Sequence, residues 1–173
     1  KHQMQNATAA LSALLLLNKT GELALSKEAI QTGFAKAKQI GRFEIMETEP
    51  YVILDGAHNP DGSKVLREAI GKYFQGKKIL MVTGILADKD IDEVFENFTA
   101  ITKDFVVTEP DNPRKMHAED LAEQISAKGG KCIVKKSPAE AVAYAKSLYG
   151  EYDLILFTGS LYLIGEIRGH LHD

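Results

Sequence analysis

The chain has 173 residues, is 45% hydrophobic and carries a formal net charge of −3 with a pI near 6.0. That length suffices for one packed core burying about 70% of the unfolded surface without disulfide or metal staples, and the acidic balance excludes the basic footprint of a nucleic-acid binder. The single cysteine, Cys132, cannot form an internal disulfide, which points to a reducing, cytoplasmic compartment.

In chain order, the first apolar stretch is ATAALSALLLL, residues 7–17, behind a leading lysine. It is too short for a membrane span, which needs about 20 apolar residues. His2, Gln3, Gln5 and Asn6 make a poor basic region for a signal peptide, so an amphipathic helix is the better account. The absence of an initiator methionine suggests a piece of a longer protein. Helices are expected over about 4–17 and 26–38, with Ser26 as N-cap of the second.

The composition changes at 39–44, QIGRFE, where strands begin at about 43–48 and 51–54. Thereafter the pattern alternates: DGSKVLREAIGKYF helix, KILMVTG strand, DIDEVFENFTAI helix, DFVVTEP strand, HAEDLAEQISAK helix, CIVKK strand, SPAEAVAYAKSLYG helix, DLILFTG strand, then a closing helix. Ser137-Pro138-Ala139-Glu140 has the form of a capping box with proline at the first helical position. The strands YVILD, KILMV and DLILF are continuously apolar, as expected where both faces of a sheet are covered. Strand–helix alternation implies parallel strands joined by right-handed crossovers. Residues 41–173 therefore read as one doubly wound, mostly parallel, Rossmann-like α/β domain, and residues 1–40 as helices of a different layer or domain.

Ligands of an open α/β sheet bind outside the carboxyl ends of its strands. The segments there are DGAHNPDG, TGILADKD, TEPDNPRK and TGSLY, all polar and rich in glycine or proline. In the first, the Asp55 carboxylate suits paired hydroxyls or a metal-bound water, and Gly56 permits close backbone approach. His58 suits a phosphate oxygen. Asn59-Pro60 reads as N-cap and first helical position, which would aim free backbone N–H groups at an anion. Asp88 and Asp90 around Lys89 read as a loop ion-pair cluster without a catalytic step. No G-x-x-x-x-G-K-[ST] and no G-x-G-x-x-G after the first strand is present, and the five histidines and one cysteine have no metal-ligand spacing.

The string LDGAHNPDG resembles the signature of the folylpolyglutamate synthases and bifunctional dihydrofolate synthases of the Mur ligase superfamily. HQMQNATAAL (2–11) is similar to the helix that ends the family's central ATPase domain, and GRFE (41–44) to the opening of its C-terminal domain. GILADKD (84–90) and TGSLYLIGEIR (158–168) follow in family order, so the resemblance covers essentially the whole chain. One departure is visible: Gln39-Ile40 stands where the family often has Trp-Pro before Gly-Arg.

The resemblance implies residues 1–40 as the helical end of the ATPase domain and 41–173 as the C-terminal domain. It implies ATP- and magnesium-dependent addition of L-glutamate to folate or dihydropteroate, an acyl phosphate forming on the pterin substrate's carboxylate before the glutamate amine displaces phosphate. The Walker loop, most metal ligands and the pterin site would lie upstream, leaving this chain inactive alone. Asn6 would contact adenine, Arg42 the ribose or α-phosphate, Asp55 the ribose hydroxyls, and His58 the transferring phosphate. Arg114 in DNPRK is similar to the arginine with which peptidoglycan tripeptide ligases hold the incoming amino acid, and it is equally readable as a turn residue. Ser160 either contacts substrate or caps the last helix, the cap being favoured. The family is usually monomeric, and neither nucleic acid nor membrane is implied. The alternatives are the matching domain of a peptidoglycan Mur ligase and a non-catalytic nucleotide-binding module. A phosphoacceptor receiver domain is disfavoured, because Asp55 is single and Thr158-Gly159 stands where its lysine should be.

Overall fold

The computed structural model describes residues 2–37, 39–87 and 91–172, so Lys38 and the Asp88-Lys89-Asp90 cluster lie outside the described residues. Internal contacts divide the chain into two compact units, Lys1–Gln39 and Ile40–Asp173.

The first unit is a pair of helices, α1 (His2–Thr20) and α2 (Lys27–Lys36). The Asn18 side chain ties their connection to the end of α1, donating to Leu25 O at 2.7 Å and accepting from Leu25 N–H at 2.9 Å. Ser26 caps α2 as expected, its hydroxyl accepting from Ala29 N–H at 3.1 Å. No described residue of α2 is buried, and Leu15 and Leu16 of α1 remain 53% and 60% exposed.

The second unit is a six-stranded sheet flanked by helices. Its strands are β1 (Glu44–Thr48), β2 (Tyr51–Asp55), β3 (Ile79–Thr83), β4 (Asp104–Val107), β5 (Lys131–Val134) and β6 (Leu154–Thr158). The spatial order is β1-β2-β6-β3-β4-β5, with β1 antiparallel to β2 and every other pair parallel. Helices α3 (Pro60–Tyr73), α4 (Asp92–Ile101) and α5 (Ala118–Ala127) connect β2 to β3, β3 to β4 and β4 to β5. They pack on one face, where Leu66, Ile70, Phe95, Phe98, Leu121 and Ile125 meet Ile53, Met81 and Phe105. Helices α6 (Pro138–Ser147) and α7 (Leu161–His172) cover the other face, where Ala141, Val142, Ile164 and Ile167 meet Val52, Leu54, Val82 and Phe157.

Right-handed crossovers account for this split. Three successive connections step across the sheet in one direction. The fourth, through α6, returns past β4 and β3 to insert β6 between β2 and β3. A reversed step must run over the opposite face. The chain therefore leaves β2 and β3 toward one face and leaves β6, between them, toward the other. A crevice opens at that point, above the carboxyl ends of the strands. Register keeps those ends level, with Asp55 opposite Thr158 and Thr158 opposite Thr83.

Candidate functional site

The floor of this crevice needs glycine. Gly159 follows β6 with φ 110°, outside the range of most L residues. A Cβ there would stand 2.5 Å from Thr83 Oγ1 and 2.8 Å from Gly84 O. Thr158 Oγ1 and Gly159 N–H both donate to Ala57 O, at 3.4 and 3.0 Å, binding the β2 and β6 loops together. The resulting cleft, about 130 Å³, is lined by His58, Ile85, Leu86, Arg114 and the run Gly159–Tyr162. Three of the expected site residues, His58, Arg114 and Ser160, thus meet in one place although they are distant in sequence.

His58 is half-buried, and its Nδ1 lies 2.7 Å from Gly56 O. A carbonyl only accepts, so Nδ1 carries the proton and Nε2 is left for a ligand. Asn59 caps α3, accepting from Gly62 N–H at 2.8 Å through its side chain and from Ser63 N–H at 2.9 Å through its carbonyl. Pro60 has no N–H, so of the first three helical positions only Asp61 keeps an amide not taken by the cap. The expected cradle of several amides is reduced accordingly. Ser160 is nearly fully buried, and its hydroxyl accepts from Tyr162 N–H at 3.2 Å, capping α7.

Asp55 and Arg42 belong to a second cluster. Asp55 Oδ2 accepts from Phe43 N–H at 2.8 Å and Oδ1 from Ala57 N–H at 2.9 Å. Each oxygen retains a further acceptor position. Burial pushes the Asp55 carboxyl up, opposed by those two amides and by the charge of Arg42. The Gly41-Arg42-Phe43 turn is unusual, with Gly41 at φ 68° and Phe43 at φ 49°. A left-handed phenylalanine costs about 1–2 kcal/mol. Asp55 holds its amide, and its ring packs on Tyr73 and Phe74 with centroids at 6.3 Å in both cases. Gly56 N–H donates to Gly41 O at 2.7 Å, and Gly41 N–H donates to Glu44 Oε2 at 2.8 Å. Glu44 Oε1 in turn accepts from Arg168 Nε on α7 at 3.2 Å. Arg42 is exposed at the tip of this braced turn. Asn6, the remaining expected contact, is exposed on α1 in the helical unit.

Sequence reasoning missed the groups that hold the Arg114 loop. Glu109, just past β4, is 8% exposed and accepts from Ala118 N–H at 3.1 Å. Its Oε2 lies 2.6 Å from Lys115 Nζ, and this contact holds the carboxyl below its ordinary range. Glu166 on α7 accepts from Asp111 N–H at 2.9 Å, and burial pushes its carboxyl up. A lone acid two residues beyond an apolar strand was the available signal. Nothing in local spacing pairs Glu109 with Lys115. Among the described residues no group of three or more His, Cys, Asp or Glu could hold a metal, and no helix is long and apolar enough to cross a membrane.

A sheet of this order, with its cleft at the reversal point, places the chain in a defined class: it belongs to the family described as Mur ligase, glutamate ligase domain, which matches residues 41–161. The chain is similar to the dihydrofolate synthase/folylpolyglutamate synthase of Bacillus subtilis, 34% identical over 172 residues, covering 98% of this chain and 39% of the relative. Its structure resembles Mycobacterium tuberculosis folylpolyglutamate synthase complexed with ADP and AMPPCP, with TM-score 0.83 and 28% identity over 98% of this chain and 40% of that one. E. coli FolC in complex with DHPP and ADP is also similar, with TM-score 0.79 and 28% identity over 96% of this chain and 38% of that one. The chain thus spans about two fifths of the length of these relatives.

Proposed function

We propose that this chain is the C-terminal part of an ATP-dependent ligase that adds L-glutamate to folate or dihydropteroate through an acyl phosphate, residues 1–40 being the helical end of its ATPase domain. The observation that carries the reading is the meeting of His58, Arg114 and Ser160 in the cleft at the sheet's reversal point. The exposed leucines of α1 support a larger upstream domain, because the helix pair does not bury them in a core of its own.

Phosphoryl transfer needs positioning and charge neutralisation more than covalent help. The braced, exposed Arg42 fits a nucleotide phosphate, since a guanidinium spreads its charge over two oxygens. Asp55 keeps an acceptor position on each oxygen for ribose hydroxyls, and Asn6 is the adenine contact. Nε2 of His58 is the group for the transferring phosphate. Arg114 receives the α-carboxylate of glutamate in bidentate fashion, with Ser160 shaping the adjoining wall. Magnesium would neutralise the phosphates, through ligands on the upstream domain. The ligase acts as a monomer in the cytoplasm, and its partners are its small-molecule substrates and that upstream domain.

The test is ATP-dependent incorporation of labelled L-glutamate by the intact ligase, onto folate and onto dihydropteroate separately. Activity is expected with at least one acceptor, and the 173-residue chain alone should give none. His58→Ala should lower kcat about 100-fold while leaving the thermal midpoint nearly unchanged; equal loss of folding makes His58 structural. Incorporation of diaminopimelate instead of glutamate would transfer the chain to peptidoglycan synthesis. Nucleotide binding without any turnover of the intact protein would leave a binding module.

A further inference from the structure

Arg114 and Lys115 are adjacent cations at the mouth of the cleft, and only one lines it. The main chain turns at Arg114, where Lys115 N–H donates to Asn112 O at 3.0 Å, and is then zipped to the loop after β3. Ala87 N–H donates to Arg114 O at 2.8 Å and Met116 N–H to Ile85 O at 3.0 Å, with Leu86 and Lys115 paired as an antiparallel bridge. A slip of one residue in this pairing would exchange which of the two side chains faces the cleft. Backbone bonds of this kind are indifferent to which residue occupies which face. Something must choose between two long cations of equal charge.

Glu109 is placed to choose. It is nearly enclosed, and an enclosed carboxylate must be paired. Lys115 Nζ reaches its Oε2 at 2.6 Å, while Oε1 faces Ala118 N–H at 3.1 Å and His117 Nδ1 at 3.5 Å. The Ala118 amide is the first of α5, so the carboxylate cannot follow a shifted loop without abandoning the helix start. The Arg114 amide is held separately by Asn112 Oδ1 at 2.9 Å. We infer that Glu109 is a positioning residue: by drawing Lys115 inward it locks the register of the loop and turns Arg114 toward the cleft as the receptor for the amino-acid substrate's carboxylate. This rests on the proposed role of Arg114 and adds the residue that makes it specific. A carboxylate-binding arginine loses its bidentate grip if a lysine takes its place.

The experiment compares Glu109→Gln, Arg114→Ala and the double variant in the intact ligase, with amide hydrogen exchange on each. Glu109→Gln keeps the side-chain length and an acceptor for Ala118 N–H, and removes the charge that holds Lys115. It should raise the KM for glutamate about tenfold with little change in kcat or in the KM for ATP. The double variant should be no worse than Arg114→Ala, because both changes remove one interaction. Exchange at Ala87 and Met116 N–H should quicken about tenfold in Glu109→Gln. If Arg114→Ala leaves the glutamate KM unchanged, the amino-acid reading of the cleft falls, and the exchange rates alone decide the register lock. Unchanged exchange in Glu109→Gln, or a glutamate KM unmoved where Arg114→Ala raises it, overturns the role of Glu109. So does an equal rise in the KM for glutamate and for ATP, which marks a general loss of structure.

Discussion

Gly159→Ala tests a tight point of the crevice floor. At φ 110° an L side chain is strained, which costs about 1–3 kcal/mol. The new methyl would also sit 2.5 Å from Thr83 Oγ1 and 2.8 Å from Gly84 O. Neither neighbour yields easily, because Thr83 is fully buried and Gly84 O belongs to the main chain. Overpacking of this kind adds about 1–3 kcal/mol. The sum is about 2–6 kcal/mol, and at about 2–4 °C per kcal/mol for a chain of this size the thermal midpoint should fall by about 4–24 °C. Gly150→Ala is the control, since no atom of the described residues beyond its chain neighbours lies within 4 Å of its added Cβ; it should stay within about 0.5 kcal/mol of the parent. The assay is thermal unfolding followed by circular dichroism, with denaturant unfolding read as a change of midpoint at constant slope. If Gly159→Ala proves as stable as Gly150→Ala, the loops after β3 and β6 do not approach this closely.

Arg42→Ala should weaken ATP binding to the intact ligase by about tenfold or more, the worth of a charge-assisted hydrogen bond, without altering stability, since the side chain is exposed; titration calorimetry showing unchanged affinity would sink its phosphate role. Thr108 Oγ1 is buried with no hydrogen-bond partner among the described residues, so Thr108→Val should stabilise the fold by about 1 kcal/mol, and a destabilised variant would mean that the hydroxyl is satisfied. Burial, with Glu47 beside it, pushes the Tyr149 phenol up to about 12 from its ordinary value near 10. The folded chain then holds this proton more tightly than the unfolded chain, so stability falls as pH rises between about 10 and 12 and is insensitive to Tyr149 at lower pH. Phenolate absorbance should show a late step that Tyr149→Phe removes; a phenol that ionises with the ordinary tyrosines would contradict this.

Local physics accounts for what the sequence by itself determined. Continuous apolar runs bounded by glycine or proline marked β2, β3 and β6, and the segments alternating with them read as helices. Asn59-Pro60 and Ser137-Pro138 cap α3 and α6 as their side-chain chemistry requires. The carboxyl-end rule then placed His58, Arg114 and Ser160 in loops that do converge. Where the expectations were too simple, a long-range contact decided. The strand expected from residue 43 begins at Glu44, because Asp55 holds the Phe43 amide in a left-handed turn from twelve residues away. The amide cradle expected at α3 is mostly consumed by its own cap.

Only the tertiary structure decided the strand order, and with it which loops share the crevice. Sequence separation carries no record of β6 inserting between β2 and β3, since that depends on the hand of the crossovers acting over the whole sheet. The roles of Glu44, Glu109, Glu166 and Arg168 were equally hidden. Each finds its main partner through the fold rather than through helical or strand periodicity: Arg168 meets Glu44 across 124 residues, and Glu166 meets Asp111 across 55. Periodicity tells which residues turn inward, whereas the partner of a buried charge is fixed only when the elements pack.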